Sequence, residues 1–185
     1  MTVASRLPKN WFALSSQFDN AVYWNQVAAT VTPNIATAPD GTLTAYRLNG
    51  TGVGNQRIDR TANDADGSVF VCLSLYAKQG TTAATAFQIT DVGTGVVLSL
   101  VTFNLAAGTL VATQGNGRMT SVGNGWYLCE AFNTDRHRRP SSSLTSLIFI
   151  DSPTWTATNF YVWQAQLNSG IYADGYWPTT EVPRT

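Results

Sequence analysis

The sequence predicts an all-β protein, an antiparallel sandwich or closed barrel, on three observations. The first is composition. Its 185 residues include 25 Thr, 13 Ser and 13 Asn but two Lys and two Glu. Lys and Glu sustain helices, whereas Thr, Val and the aromatics suit half-buried pleated strands. The second is period-2 alternation of apolar and polar residues in several runs. The third is the recurrence of Gly, Asn and Asp turn residues roughly every ten positions, the spacing of sandwiches and barrels. Charge narrows the function classes. Eleven basic residues balance eleven acidic ones and only 12% of the chain is charged, which argues against a nucleic-acid binder with its basic face. No run approaches the ~20 apolar residues of a membrane span. The start, MTVASRLPKNW, has no apolar core and is read as lacking a signal peptide.

Taken in order, short runs at Asn10–Leu14, Val22–Val27, Leu43–Asn49 and Gln56–Arg60 fit strands. The strongest strand is Ser68–Lys78. Val69, Val71, Leu73, Leu75 and Ala77 share one face, and Phe70, Cys72, Ser74, Tyr76 and Lys78 share the other. Its uniformly aliphatic face suits the interior of a sandwich. Ala84–Thr90, Val96–Asn104 and Arg118–Val122 follow. Trp126–Asn133 sets Trp126, Leu128, Glu130 and Phe132 against Tyr127, Cys129 and Ala131. After Leu144–Ile150, Phe160–Leu167 sets Tyr161, Trp163, Ala165 and Leu167 against Phe160, Val162, Gln164 and Gln166. Ile171–Trp177 completes the series. Turns are expected at Pro39-Asp40-Gly41, Asp66-Gly67, Gly93-Thr94-Gly95, Ala107-Gly108, Asn116-Gly117 and Gly123-Asn124-Gly125, because Gly and Asn tolerate positive φ. Residues 1–9 read as an arm, 10–177 as one domain and 178–185 as an extended tail.

Little in the chain points to catalysis. His137, the only histidine, stands among Arg136, Arg138 and Arg139 with no nucleophile or orienting carboxylate in view, and reads as a surface residue. Glu130 alternates with aromatics, so it reads as an acid with a raised pKa or, preferably, as the partner of an arginine. A glycosidase would need a second carboxylate, and no motif supplies one. Asn63–Gly67 resembles part of a calcium loop, but Ala62 and Leu73 would fall on its first and last ligand positions. A calcium site built from separate loops stays open; no metal or cofactor is expected. Gly50–Gly54 opens no helix and reads as a loop, not a phosphate cradle. Cys72 and Cys129 lie in strands. They could pair if those strands were neighbours, but buried reduced thiols are the preferred reading. Exposed Trp and Tyr on a sandwich can stack on sugar rings or anchor interfaces. Trp11, Trp155 and Trp177, near segment ends, are the tryptophans expected to be partly exposed.

Several segments, in order, resemble one family. Asn10–Phe18 with Ala21 and Trp24 resembles its entry motif. Ala38-Pro-Asp-Gly-Thr42 with Thr44-Ala45, Leu73–Lys78, Phe103–Thr109, Val122–Tyr127, Phe160–Leu167 and Tyr176–Thr180 follow in the family's order. The family is the carbohydrate-binding-module-like jelly-roll domain of tailed-bacteriophage structural proteins. The resemblance implies a jelly-roll sandwich and a non-enzymatic role in adhesion or decoration. It implies a virion protein made in the host cytoplasm and placed on the capsid exterior as a decoration protein or head fibre. The alternative is a tail-fibre or tail-tip adhesin that binds host-surface glycan. Partners would be other virion proteins and host polysaccharide, with neither nucleic acid nor membrane. A homo-oligomer is expected, a trimer at capsid threefold positions. With about nine residues ahead of the module, a long shaft is not expected. Trp11, Arg136, His137, Arg138, Arg139, Trp155 and Trp177 are the candidate contacts for a partner or glycan.

Overall fold

The computed structural model describes residues 10–63, 70–135, 143–150, 154, 156–173, 175–176 and 178–179. These form twelve strands and no helix. They are β1 (Asn25–Val27), β2 (Ala29–Ala36), β3 (Ala45–Gly50), β4 (Arg57–Ala62), β5 (Val71–Gln79) and β6 (Ala84–Asp91), then β7 (Val97–Asn104), β8 (Thr109–Gln114), β9 (Asn116–Gly123), β10 (Trp126–Phe132), β11 (Leu144–Ile150) and β12 (Asn159–Ser169). Two antiparallel sheets of six face each other. Their orders are β1-β4-β11-β6-β7-β8 and β2-β3-β12-β5-β10-β9. This is the jelly-roll sandwich that the sequence leads one to expect.

Alternation builds the core. Leu73, Leu75 and Ala77 of β5 and Cys129 and Ala131 of β10 point inward, against Ile58, Phe87, Ile89, Val101 and Ile148 of the other sheet. Fully burying side chains of this kind contributes about 1.5–3 kcal/mol each. An aromatic plug closes one end: Phe12 and Phe18 lie 5.2 and 4.9 Å from the Trp24 ring. Asn10 splices the entry segment onto β12. Its Oδ1 accepts from the N–H of Phe12 and of Leu167, and its Nδ2 donates to the Ala165 carbonyl. Residues 10–14 therefore pack along β12 without being a strand.

Trp11 is 4% exposed and belongs to that core, which overturns the expectation of partial exposure. Its own N–H donates to the Leu167 carbonyl, and that bond holds the segment flat on the sandwich. Two strands escape the sequence reading. Both β2 and β8 are edge strands, largely exposed on either side, so burial imposes no alternation on them. The turn expected at Asn116-Gly117 falls one position earlier. The chain changes sheet at Gly115, whose φ is +69°, and a Cβ there would meet the Phe132 carbonyl oxygen at 2.5 Å. Ile171–Trp177 is not a strand in its described part.

The largest correction concerns β12. Phe160 and Val162 point into the core, and so do Ala165 and Leu167. A bulge between Trp163 and Ala165 inserts Gln164 at φ +49° and changes the parity of the strand. Tyr161 and Trp163 therefore lie on the outer face of the second sheet, not with Ala165 and Leu167. The cysteines show the same geometry. Their strands are neighbours, but Cys72 stands opposite Phe132 and Cys129 opposite Leu75, so the two point to opposite faces. Neither forms a disulfide, and both are buried.

Candidate functional site

Register sets side chains in rows across the outer face of the second sheet. Trp163 stands opposite Tyr76, Tyr76 opposite Leu128, and Leu128 opposite Thr120. The Trp163 and Tyr76 rings tilt toward each other at 54°, with centroids 5.2 Å apart. The adjacent row holds Trp126, whose indole N–H donates to the Thr37 carbonyl. Ala38 packs on this second apolar cluster with Ala45, Trp126 and Trp163. The β2–β3 connection, residues 37–44, thus folds over the sheet and forms one wall of a cleft.

Residues 173, 175–176 and 178–179 supply the facing wall. The Ala173 N–H donates to Glu130 Oε1 at 2.8 Å, the Tyr176 and Ser15 hydroxyls are 2.8 Å apart, and the Ser15 N–H donates to Thr179 Oγ1. Pro178 and Thr179, read as the start of a tail, are therefore fastened to the entry segment. Between the walls lies an open cleft of about 440 Å³ lined by Asp40, Thr42, Thr44, Trp163, Gln164 and Tyr176, with Ser16, Gln17 and Asn34 at its rim. A smaller cavity of about 50 Å³ adjoins it between Tyr76, Leu128, Gln164, Gln166 and Tyr176. Burial pushes the Tyr76 and Tyr176 phenols above the usual tyrosine range, so both remain protonated at neutral pH.

Glu130 resolves as the partner of an arginine. It is 3% exposed, and Arg118 Nη1 donates to both of its oxygens at 3.1 Å. The Arg118 guanidinium also lies over the Tyr172 ring, 4.3 Å from its centroid. With both oxygens engaged beneath the C-terminal segment, this carboxylate is a clamp and not an accessible acid. Among the described residues, no group of three or more His, Cys, Asp or Glu side chains gathers as metal ligands would. Arg136, His137, Arg138, Arg139, Trp155 and Trp177 lie outside the described residues. The cleft was missed because the bulge hid the outward turn of Trp163. The segment Ala38–Thr42 with Thr44 was the available signal, and a turn accounts for only part of it.

No protein-family model matches the sequence, and comparison with curated proteins finds no relative. Solved structures do match. The CBM22-1 xylan-binding domain of Paenibacillus barcinonensis Xyn10C is 14% identical, over 92% of this chain and 100% of that one, with a TM-score of 0.55. The family 11 carbohydrate-binding module of Clostridium thermocellum Lic26A-Cel5E is 12% identical over 94% and 100%, with a TM-score of 0.43. The enzymatically active domain of bacteriophage CBA120 tailspike protein 4 is 14% identical over 85% of this chain, with a TM-score of 0.47. This chain spans 21% of that tailspike chain. At such identities likeness extends to fold alone, and nothing in the functional reading rests on the two lower scores. The chain has the jelly-roll fold seen in carbohydrate-binding modules.

Proposed function

We propose that this protein is a non-catalytic glycan-binding module that takes a saccharide chain into the cleft between residues 37–44 and the segment that carries Tyr176 and Pro178. One observation carries the reading. The Trp163 ring lines the cleft and tilts against Tyr76 of the adjoining cavity, beside the hydroxyls of Thr42, Thr44 and Tyr176, the Gln164 amide and the Asp40 carboxylate. Sugars present apolar C–H faces to aromatic rings and hydroxyls to Thr, Gln and Asn, so both halves of a saccharide find a counterpart there. Fold alone does not establish function; the cleft residues support the reading. Host-surface polysaccharide is the ligand source that fits the family resemblance.

Isothermal titration against a panel of bacterial and plant polysaccharides tests it. At least one polymer binds the wild type, and Trp163→Ala weakens that binding at least tenfold, about 1.4 kcal/mol. Because Trp163 also packs on Ala38, Gln164→Gly is the companion variant. It removes the cleft amide while keeping a residue suited to positive φ, and it weakens binding with the fold intact. Val53→Ser, at an exposed site that does not line the cleft, leaves binding unchanged. Absence of binding to every polymer would overturn the reading.

A second reading concerns setting. The ordered segment matches from Asn10 to Thr180 favour a virion protein, made in the host cytoplasm and carried on the exterior of a phage particle as capsid decoration, head fibre or tail adhesin. The two readings are compatible, because an exterior virion module is well placed to touch host glycan.

A further inference from the structure

We infer that the cleft selects neutral, hydroxyl-rich glycan chains and rejects anionic ones, because a one-way relay of hydrogen bonds leaves its loop wall with acceptors and a negative charge. This selectivity rests on the glycan-binding reading and names the ligand class of that same site.

The relay begins at Trp163. Its indole N–H donates to Thr44 Oγ1 at 3.1 Å, the Thr44 and Thr42 hydroxyls are 2.6 Å apart, and Thr42 Oγ1 donates to Asp40 Oδ1 at 2.7 Å. An ionised carboxylate only accepts, and a hydroxyl has a single proton. Thr42 therefore gives its proton to Asp40 and must accept from Thr44, which directs its own proton to Thr42. The Thr42 N–H adds a second donor to Asp40 Oδ1 at 2.9 Å. Every side-chain proton in the relay points toward the carboxylate, and each bond polarises the next in the same sense.

A ligand consequently meets the remaining lone pairs of two hydroxyl oxygens and Asp40 Oδ2, which takes part in none of these bonds. The Thr42 side-chain and backbone bonds hold the Asp40 carboxyl below its usual range, so its charge persists through neutral pH. Tyr46, another lining residue, lies beside the negative charge of Asp19. Among the described lining residues there is no Lys or Arg. Sugar hydroxyls can donate to such a surface. A carboxylate, sulfate or phosphate cannot, and it meets a like charge, which weakens binding roughly fivefold or more for an approach to about 4 Å in water at low ionic strength and less as salt screens it.

The test uses mannan and mixed-linkage β-glucan, each unmodified and with its primary alcohols oxidised to carboxylates, so that every sugar carries an anion and no register avoids the wall. Titration of the wild type at low salt shows binding of a neutral polymer and at least fivefold weaker binding of its oxidised form. The gap shrinks with added salt. In Asp40→Asn, which keeps an oxygen acceptor for Thr42 but removes the charge, the gap falls by at least half while Trp fluorescence is unchanged. Thr44→Val, which removes the acceptor of the indole N–H, shifts that fluorescence. Equal or tighter binding of the oxidised polymer, or a gap that Asp40→Asn leaves intact, overturns the inference while the glycan-binding reading stands. If neither form of either polymer binds, the inference falls, and the wider polysaccharide panel decides the glycan-binding reading separately.

Discussion

Tyr46 illustrates how a single side chain ties the cleft to the core. Its ring packs edge-on against Phe18, centroids 5.4 Å apart, while the residue also lines the cleft and lies beside the Asp19 charge. Burial, reinforced by the Asp19 charge, pushes the phenol from the ordinary 10.0 up to about 12. The sign of the linkage follows. Below pH 10 the phenol is protonated in folded and unfolded chains alike, and its contribution is fully present. Between pH 10 and about 12 the unfolded chain loses the proton first, so stability falls as pH rises. Urea midpoints measured from pH 9 upward should decline, and Tyr46→Phe should remove a share of that slope. Tyr76, Tyr176 and the Cys129 thiol, also raised by burial, contribute to the slope in the same direction. Burial and the nearby Glu130 charge push the Cys129 thiol upward as well; a neutral thiol buried in the core is unreactive.

Among the elements, β12 carries the most information, because one inserted residue decides what each of its faces does. With Gln164 in place, Phe160, Val162, Ala165 and Leu167 all reach the core, while Trp163 reaches the cleft. Deleting Gln164 makes Trp163 and Ala165 adjacent, still opposite Tyr76 and Leu75, so strict alternation keeps Trp163 outward and Ala165 and Leu167 inward. The inserted residue is therefore not needed for core burial. The deletion variant should still unfold cooperatively in urea by circular dichroism, while the cleft loses the Gln164 amide. Gln164→Gly should unfold within about 1 kcal/mol of the wild type, since glycine occupies the left-handed region without strain. A deletion variant that does not unfold cooperatively would show that the bulge is needed for folding as well as for the cleft. The other informative elements are β2 and β8, invisible to alternation because both of their faces meet solvent.

At the scale of the molecule, the chain turns from one sheet to the other at Ala28 and at Gly115, φ +46° and +69°. These two sharp turns join β1 to β2 and β8 to β9, at the edges of the sandwich. The expectation that belongs to this scale is location. Mass spectrometry of purified phage particles should detect the protein as a virion component, and its absence from particles would end the virion reading. Composition, period-2 alternation and turn residues were enough to predict an antiparallel sandwich or barrel, the aliphatic face of β5 and an arginine partner as the preferred role of Glu130. They suffice because each depends on local periodicity or on the bare cost of burying a charge. Which face of β10 is inward, the outward turn of Trp163, the walls formed by residues 37–44 and by 173, 175–176 and 178–179, and the relay from Trp163 to Asp40 are different in kind. They join positions more than a hundred residues apart through a register that one bulge resets, and no local pattern encodes where a bulge will fall.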